Sequence, residues 1–473
     1  MATDSASVPA QVTTQVTTQV TAQVTTPGSH GASGSSSDKR GTGELFSLKT
    51  GDGAHQVAPG IWVLHGQGQS FVAETSAGLV VVDAGPGGKV TASMIEALRR
   101  CSDAPVHALC YSHGHLGYNA GVGHWLDHAR TRGEPAPRLI AHRNVPRRYA
   151  RYRETQALQQ HLAEMQFRMA AGSFELRLHE PTELFDQRLV IGEGERRVEL
   201  IWAPSETDCG IAVWCPAQRV LFGGPAVIDS IPNIGTPLRT LRDPVRWADT
   251  LEALLALEPE QVVREFGPTI TGTESVREVL GHTVRALRWL RAETVRLMNQ
   301  GLDERAILAR MHYPDELFGA AWMRPTYGDP SYIVRDIYRS ENGWWDRNPT
   351  SLHPAAPEAI ATALAEAISD KKAVLQQARR HADGGQLQLA LHVIDLLALA
   401  DGDAPEIAEA RHLKAGWLRE RARTVTSYIS KSLYHHGAAQ LAAQEDASAR
   451  APEANSHDKP APAPHAADIA GRR

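Results

Sequence analysis

Apolar and polar positions divide the chain into a strand-rich first part and a helical second part. Runs such as "GIWVLHG", "SFVAETSAG" and "GLVVVDAGPG" are rich in β-branched residues and are separated by glycines, which predicts consecutive strands. "TASMIEALRR" has helical spacing behind a threonine cap. "VHALCYSHGH" predicts a buried strand that runs into a polar loop. The first part is therefore expected to fold as an α/β or α+β sandwich with its site at strand ends.

From about residue 275 the spacing of apolar residues becomes helical. "ESVREVLGHTVRALRWLRAETVRLMNQG" repeats apolar positions every three or four residues and ends at a glycine. Residues 357–445 are rich in alanine and leucine and include a predicted antiparallel helix pair, "LQLALHVIDLLALADGDAPEIAEARHLKAGWLRERA". We therefore predict a sandwich domain at 45–305 and an all-helical domain at 306–445.

Both ends of the chain have the composition of disordered tails. Residues 1–44 contain a Gln-Val-Thr repeat followed by Ser/Gly-rich sequence, with almost nothing bulky to bury. Residues 446–473 are rich in alanine, proline and histidine. We predict that both segments are disordered.

Composition excludes several classes of partner. The 473 residues favour two ordered domains, and 42% hydrophobic with 22% charged residues is typical of a soluble globular protein. The net charge of -5 gives no basis for binding nucleic acid or an anionic membrane. No apolar run approaches the roughly 18 to 20 residues that span a bilayer, and the N-terminus lacks a secretory pattern. The four cysteines show no Cys-x-x-Cys spacing, so we expect reduced thiols and a cytoplasmic location.

The strongest candidate for chemistry is the His-x-His pair in "ALCYSHGHLGYNAGVGH". His113 and His115 follow a predicted buried strand, and alternate side chains of a strand point the same way. Both imidazoles can therefore reach one metal ion. The pattern is short, and two histidines hydrogen-bonded near a turn would fit it equally well.

Around this pair, Asp83 ends a predicted strand before Gly-rich sequence, the His-x-His loop follows, Glu206 lies in the turn "APSETDCG", and "VLFGGP" comes next. This order of segments resembles the metallo-β-lactamase fold. "NIGTPLRTLRDPVRWADTLEAL" and "IYRSENGWWDRNPTSLHP" resemble the alkylsulfatase branch, and the resemblance covers roughly residues 50–445. It implies an α+β fold: an αββα sandwich followed by an all-α dimerisation domain, and hence a homodimer. From the polar C-terminal sequence we do not expect the lipid-binding C-terminal domain that is common in that branch, and this expectation weakens the case for long-chain detergent substrates.

The resemblance also implies a set of metal ligands. His113, His115 and Glu206 match the residues that hold the first metal ion of the family. The positions that would hold the second ion carry other residues: Gly117, Tyr118, Pro225, and Phe266 or Gly267. Since one site keeps all its ligands and the other has lost them, we predict a single divalent metal ion.

Further residues are candidates for contact with a small-molecule substrate. The resemblance places Tyr332 where the family has a histidine that assists the leaving group, and Asn233 and Arg239 near its sulfate-binding positions, with a one-residue shift. Tyr118 and Tyr332 could donate hydrogen bonds in the vacated second metal site or simply fill it. Asp208 and Glu265 are possible general bases, although solvated carboxylates in loops are common.

Two histidines and one carboxylate support two different chemistries. With Zn²⁺ they leave a position open for an activated water that hydrolyses an ester or sulfate ester. With Fe²⁺ they form the facial triad of non-haem oxygenases. Ligand identity does not separate these, but the fold resemblance favours zinc and hydrolysis. An inactive, dimeric binding protein is the third possibility.

Overall fold

The computed structural model describes residues 53–450, with side chains described as far as residue 444. The predicted N-terminal tail and the part of the predicted C-terminal tail beyond residue 450 lie outside the described residues. The last helix runs to Arg450, so the first five residues assigned to the C-terminal tail, 446–450, belong to that helix.

Thirteen strands within the described residues form two sheets. The first sheet has the order β1 to β7, with antiparallel neighbours as far as β4 and parallel neighbours from β4 to β7. The second has the order β13-β12-β11-β10-β9-β8, in which only β11 and β12 are parallel. The strands are β1 His55–Ala58, β2 Ile61–His65, β3 Gln69–Thr75, β4 Gly78–Val82, β5 Val106–Cys110, β6 Arg138–His142, β7 Glu183–Phe185, β8 Arg188–Ile191, β9 Val198–Trp202, β10 Ile211–Cys215, β11 Val220–Phe222, β12 Gln261–Val263 and β13 Ile270–Thr271.

The central strands are apolar on both faces because each face packs against another layer. Phe71 and Val80 lie in the cluster between the two sheets, whereas Val72 and Val81 lie in the cluster on the outer face of the first sheet. Successive side chains of a strand point to opposite faces, so both clusters draw on the same continuous run. This is why the sequence shows short apolar runs there.

Fourteen helices occur within the described residues, and they cover the outer faces of the sheets and extend beyond them. Side chains of α1, α2 and α3 pack on the first sheet, and those of α5, α6 and α9 pack on the second. The predicted αββα sandwich is therefore confirmed. The helices are α1 Gly88–Arg99, α2 Val122–Thr131, α3 Val145–Glu154, α4 Gln156–Phe167, α5 Pro244–Leu255, α6 Thr273–Asn299, α7 Glu304–Arg310, α8 Asp315–Phe318, α9 Pro330–Asn342, α10 Pro357–Glu366, α11 Lys371–Asp383, α12 Leu387–Ala398, α13 Pro405–Thr424 and α14 Tyr428–Arg450.

The helical region contributes to two different cores. Ile307, Ile333 and Ile337 belong to the same apolar cluster as the outer face of the second sheet. Helices α10 to α13 form a separate cluster that includes Leu375 and Ile394. The sandwich core thus extends past the predicted domain boundary at 305–306, because helices on the C-terminal side of that boundary complete its outer layer.

The thiols and the helices agree with two composition-based expectations. All four cysteines are free, and Cys110, Cys209 and Cys215 are buried. Among the described residues, none of the helices has the length and apolar character needed to cross a bilayer. The cytoplasmic location stays a prediction.

Candidate metal centre

Strand ends bring the candidate ligands together at one edge of the sandwich. Strands β4 and β5 are parallel, so Asp83 and the Ser112–His115 loop follow them at the same edge of the first sheet. Glu206 lies in the turn between β9 and β10 of the second sheet. The backbone amide of Ile211 donates to the carbonyl of Ser112 at 2.8 Å, which fixes this turn against the histidine loop.

His113, His115 and Glu206 form a compact donor cluster. The Nε2 atom of His113 lies 2.8 Å from Nδ1 of His115, and that Nδ1 lies 3.3 Å from Oε2 of Glu206. Zinc ligands at about 2.0–2.2 Å in a tetrahedral arrangement lie about 3.3 Å from one another, so the spacing fits one ion. Among the side chains that the structure describes, residues 53–444, no other group of three or more His, Cys, Asp or Glu is close enough to hold a metal.

The electrostatic surroundings put these side chains in the protonation states that a metal requires. Burial lowers the pKa of His113 well below its usual value, and that of His115 to about 4, so both imidazoles are neutral at pH 7. Burial alone would raise the pKa of Glu206, but the positive charge of Arg242 and the hydrogen bond with His115 hold it well below its usual range. Neutral imidazoles beside a carboxylate are the donor set of a divalent transition metal.

Neighbouring side chains orient two of the ligands. The Ser112 hydroxyl lies 2.8 Å from Nδ1 of His113 and leaves Nε2 for the metal. Oε1 of Glu206 accepts hydrogen bonds from Asn233 Nδ2 at 2.6 Å and Arg242 Nη1 at 2.8 Å, so Oε2 is the oxygen that faces His115. The sequence does not predict the role of the buried Arg242, because nothing in "TLRDPVRW" links this arginine to a carboxylate 36 residues earlier.

The positions predicted to correspond to a second metal site have backbone conformations and surroundings that do not suit metal ligands. Gly117 has a φ of +92°, a backbone conformation that an aspartate would adopt only with strain. At Gly267 a Cβ atom would lie 2.3 Å from Cβ of Asp229, so no histidine fits there. Pro225 is buried in the short 3₁₀ turn Gly224–Ala226. Restoring a second site would therefore require changes in the backbone as well as in the side chains.

Tyr118 and Glu265 lie beside the donor cluster. The ring of Tyr118 packs edge-on against His113 with centroids 4.4 Å apart, and both Tyr118 and Glu265 are buried. Burial, together with the neighbouring Glu265 carboxyl, raises the pKa of Tyr118 well above its usual value. Burial, followed by the charge of Glu206, raises the pKa of Glu265 well above its usual value. Glu265 Oε1 has no hydrogen-bond partner among the described residues.

The other predicted substrate and catalytic residues are more dispersed. The Tyr332 hydroxyl bonds to Ser430 of α14, and this residue does not line the cavity at the donor cluster. Asp208 pairs with Arg148 at 3.0 Å and faces a neighbouring cleft. Asn233 contacts Glu206 itself, while Arg239 does line the cavity. The structure thus brings Tyr118, Asn233 and Arg239 to the centre, and it does not bring Tyr332 there.

A large cavity opens at the exposed edges of His115 and Glu206. Its volume is about 970 Å³, and its wall comes from the His-x-His loop, α4, the segment after α4 and the start of α14. Arg239 and Arg242 lie at this cavity together with Glu206. The apolar wall includes Leu116, Leu158, Leu162, Phe167, Phe174 and Leu238. The cavity can therefore take a molecule with an apolar body and an anionic head.

Asp83 is a buried acid directly behind the histidine loop. Its Oδ1 accepts hydrogen bonds from the Ser112 amide at 2.9 Å and from Asn119 Nδ2 at 3.1 Å, whereas Oδ2 has no partner among the described residues. Burial raises the pKa of Asp83 from 3.8 to about 7, against the opposing effect of these hydrogen bonds. Its φ of +65° lies in the left-handed region.

Replacing Asp83 by asparagine should remove a pH dependence of stability. Because the pKa of Asp83 is raised in the folded state, folding favours its neutral form. The contribution of Asp83 to the free energy of unfolding is therefore complete below about pH 4 and is lost as the pH rises through about 7. The wild type should therefore lose on the order of 4 kcal/mol of unfolding free energy relative to Asp83→Asn over that range. Asparagine keeps the shape and tolerates the left-handed backbone. Urea denaturation of both proteins across this pH range tests the prediction, and a pH-independent difference would contradict it.

Comparisons with known proteins agree with this geometry. Residues 64–263 match the metallo-beta-lactamase superfamily, and residues 303–444 match the family described as alkyl sulfatase dimerisation. A linear primary-alkylsulfatase from a Pseudomonas species is 28% identical over 334 residues, which cover 64% of this chain and 61% of that protein. An alkyl/aryl-sulfatase from Saccharomyces cerevisiae is 26% identical over 241 residues, which cover 50% of this chain and 37% of that protein.

Solved structures show the same fold. A stereoselective inverting sec-alkylsulfatase from Pseudomonas sp. superimposes with a TM-score of 0.71 at 20% identity, over 82% of this chain and 65% of that chain. The chain spans at most 61% of the length of the curated relatives it matches. The sandwich, the donor cluster at its edge and the two family matches together show that the chain combines a metallo-beta-lactamase domain, matched at residues 64–263, with an alkyl sulfatase dimerisation region, matched at residues 303–444.

Proposed function

We propose that the protein is a metal-dependent sulfate ester hydrolase that uses one divalent ion held by His113, His115 and Glu206. The observation that carries this proposal is the three-ligand cluster at the polar end of a large, mainly apolar cavity. The sulfatase relatives support the same reaction class. Zinc is the proposed ion, since it commonly uses two histidines and one glutamate and leaves a position open.

The ion and the protein contribute differently to the proposed reaction. Zinc in such a site supplies a water that is nucleophilic at neutral pH, because the ion lowers the pKa of water to about 7. Arg242 keeps Glu206 ionised and orients its carboxylate, and Ser112 orients His113. Arg239 offers a guanidinium to the sulfate head of the ester, because arginine matches a tetrahedral anion geometrically. The apolar wall holds the alkyl part and excludes bulk water.

The substrate is proposed to be a sulfate ester with a compact apolar group. The cavity of about 970 Å³ is lined by leucines, aromatic residues and arginines, so charge at one end and hydrocarbon at the other are both accommodated. An alkyl sulfate series of increasing chain length, assayed for release of alcohol and sulfate, identifies the preferred size. The absence of sulfate release across the series would contradict the proposed function.

Metal analysis of untagged protein separates the alternative chemistries. One equivalent of zinc together with sulfate release is the expected result. Iron together with O₂ consumption would instead favour the oxygenase, which uses the same ligand types. Protein without metal and without turnover would favour a binding role.

We further propose a homodimer formed through the helical region, as the match of residues 303–444 to alkyl sulfatase dimerisation suggests. Leu364 of α10 and Leu399 after α12 are half or more exposed, although both are large apolar side chains. Burying such side chains against a second copy would contribute about 1.5–3 kcal/mol each. Leu364→Glu/Leu399→Glu should therefore shift sedimentation from dimer to monomer.

Leu184→Glu is the matched control, because Leu184 is similarly exposed on the sandwich. This variant should remain dimeric. A monomeric wild type at micromolar concentration would overturn the dimer proposal, and unchanged dimerisation of the double variant would place the interface elsewhere.

A further inference from the structure

A second cleft lies beside the metal-binding cavity and shares part of its wall. It has a volume of about 690 Å³, and the residues that line both spaces are Arg148, Arg151, Glu206, Thr240 and Arg242. The metal ligand Glu206 therefore lies in the wall between the two spaces. The wall of the first cavity contains many leucine and aromatic side chains, whereas none of the described residues in the wall of the cleft is aromatic. The cleft is lined by six arginines: Arg147, Arg148, Arg151, Arg242, Arg246 and Arg291.

The carboxylates of this cleft are already engaged. Glu206 pairs with Arg242 at 2.8 Å, and Asp208 pairs with Arg148 at 3.0 Å. Asp243 caps α5 by accepting from the backbone amides of residues 245 and 246. Glu341 pairs with Arg291. Six arginines and four acids line the cleft, so it carries an excess of two positive charges.

Three arginines of the cleft are not paired with any acid that the structure describes. Arg147, Arg151 and Arg246 form no ion pair with any residue in the described part of the chain, and Arg151 lies over the ring of Tyr152. In the wall shared with the cavity, Nε of Arg148 is buried without a hydrogen-bond partner among the described residues. Several guanidinium groups around one cleft favour a small oxyanion that accepts many hydrogen bonds.

The chemistry of the proposed reaction identifies that oxyanion, and this step rests on the proposed function. Water attacks a sulfate monoester, and either the S–O bond or the C–O bond of the ester breaks. In both cases the products are an alcohol and hydrogensulfate. Hydrogensulfate releases its proton at neutral pH, so the product anion carries one more negative charge than the ester. An arginine-lined cleft without a large apolar wall thus favours the product over the substrate.

We propose that this cleft is a binding site for inorganic sulfate, which receives the product anion away from the apolar cavity. Arg147 and Arg246 supply charge at its exposed side, and Arg148 and Arg242 connect it to the metal centre. The alcohol, which is uncharged, stays in the apolar cavity. The two products therefore separate into spaces that match their polarity.

Calorimetric titration with sodium sulfate at constant ionic strength, on the full-length metal-loaded protein, tests the proposal without any turnover. The wild type should bind sulfate saturably. Arg147→Gln/Arg246→Gln should weaken that binding by at least about tenfold, because two charge-assisted hydrogen-bond donors are lost. Both side chains are exposed, so the fold should be retained, and a thermal melt checks this.

The control removes the same charge elsewhere. Arg130 and Arg188 are exposed arginines in surface ion pairs, and Arg130→Gln/Arg188→Gln should bind sulfate as the wild type does. Absence of saturable binding, wild-type affinity in Arg147→Gln/Arg246→Gln, or equal weakening in both double variants would overturn the proposal. Failure to hydrolyse any sulfate ester would count against the proposed function alone, since the titration does not depend on it.

Discussion

Replacing His115 by alanine should release the metal ion and reduce the hydrolysis of alkyl sulfates to the background rate. His115 lies between the other two donors, 2.8 Å from His113 and 3.3 Å from Glu206, so its removal leaves two ligands on opposite sides of a gap. Two ligands do not retain zinc, which is held by three or four protein donors in its catalytic and structural sites. Metal content by mass spectrometry and sulfate release by ion chromatography measure the two effects separately.

His124→Ala is the matched control for this variant. His124 is an exposed histidine of α2 that no donor group includes, so metal content and turnover should equal those of the wild type. The wild type should contain one equivalent of metal, because Gly117, Pro225 and Gly267 offer no ligands for a second. Two equivalents would show that the single-site proposal is wrong.

Local sequence patterns predicted the parts of the molecule that depend on local physics. The apolar runs of β3, β4 and β5 follow from burial on both faces, and the His-x-His pair follows from alternation at the end of a strand. Glu206 was found because the order of its surrounding segments resembles a known fold. These features require only that each segment adopt the structure that its own residues favour.

Contacts between distant loops could not be predicted in this way. Arg242 and Asn233 meet Glu206 across 36 and 27 residues, and no spacing rule specifies which side chain of a loop turns towards a carboxylate. The same limit applies to Glu265, which reaches Tyr118 only after β12 takes its place in the second sheet. Tyr332 shows the same limit from the other side. The resemblance matches its position to a family residue of the site, but its hydroxyl bonds to Ser430, which lies 98 residues away in the chain.

Replacing Tyr118 by phenylalanine should reduce kcat by about 10- to 1000-fold, the range for loss of one oxyanion-type donor. Tyr118 packs against His113 and its hydroxyl interacts with Glu265, so this hydroxyl lies beside the metal ligands. Since the donor acts on charge that develops during the reaction, KM should change little. Phenylalanine keeps the ring against His113, so packing and metal content should be preserved.

Tyr332→Phe provides the contrast, because its hydroxyl is bonded to Ser430 outside the cavity. We expect wild-type kcat and a small loss of stability, about 1 kcal/mol, from one hydrogen bond. Equal and large losses of kcat in both variants would restore Tyr332 as a catalytic residue, while wild-type rates in both would leave Tyr118 as a packing residue.

The pairing with Glu265 adds a second test of the Tyr118 hydroxyl. A hydroxyl has one proton to donate. When Glu265 is ionised, it can only accept that proton, so Tyr118 cannot donate it to a substrate oxygen. When Glu265 is neutral, its carboxyl can donate to the Tyr118 oxygen, and the Tyr118 proton is then available to the substrate. Burial raises the pKa of Glu265, which favours the neutral carboxyl that can do this. In Glu265→Gln the side-chain amide of glutamine can still donate a hydrogen bond to the Tyr118 oxygen, and this amide does not ionise. We therefore expect this variant to retain turnover at high pH, where the wild type loses it as Glu265 ionises. Parallel pH profiles for the two proteins would separate Glu265 from the reaction.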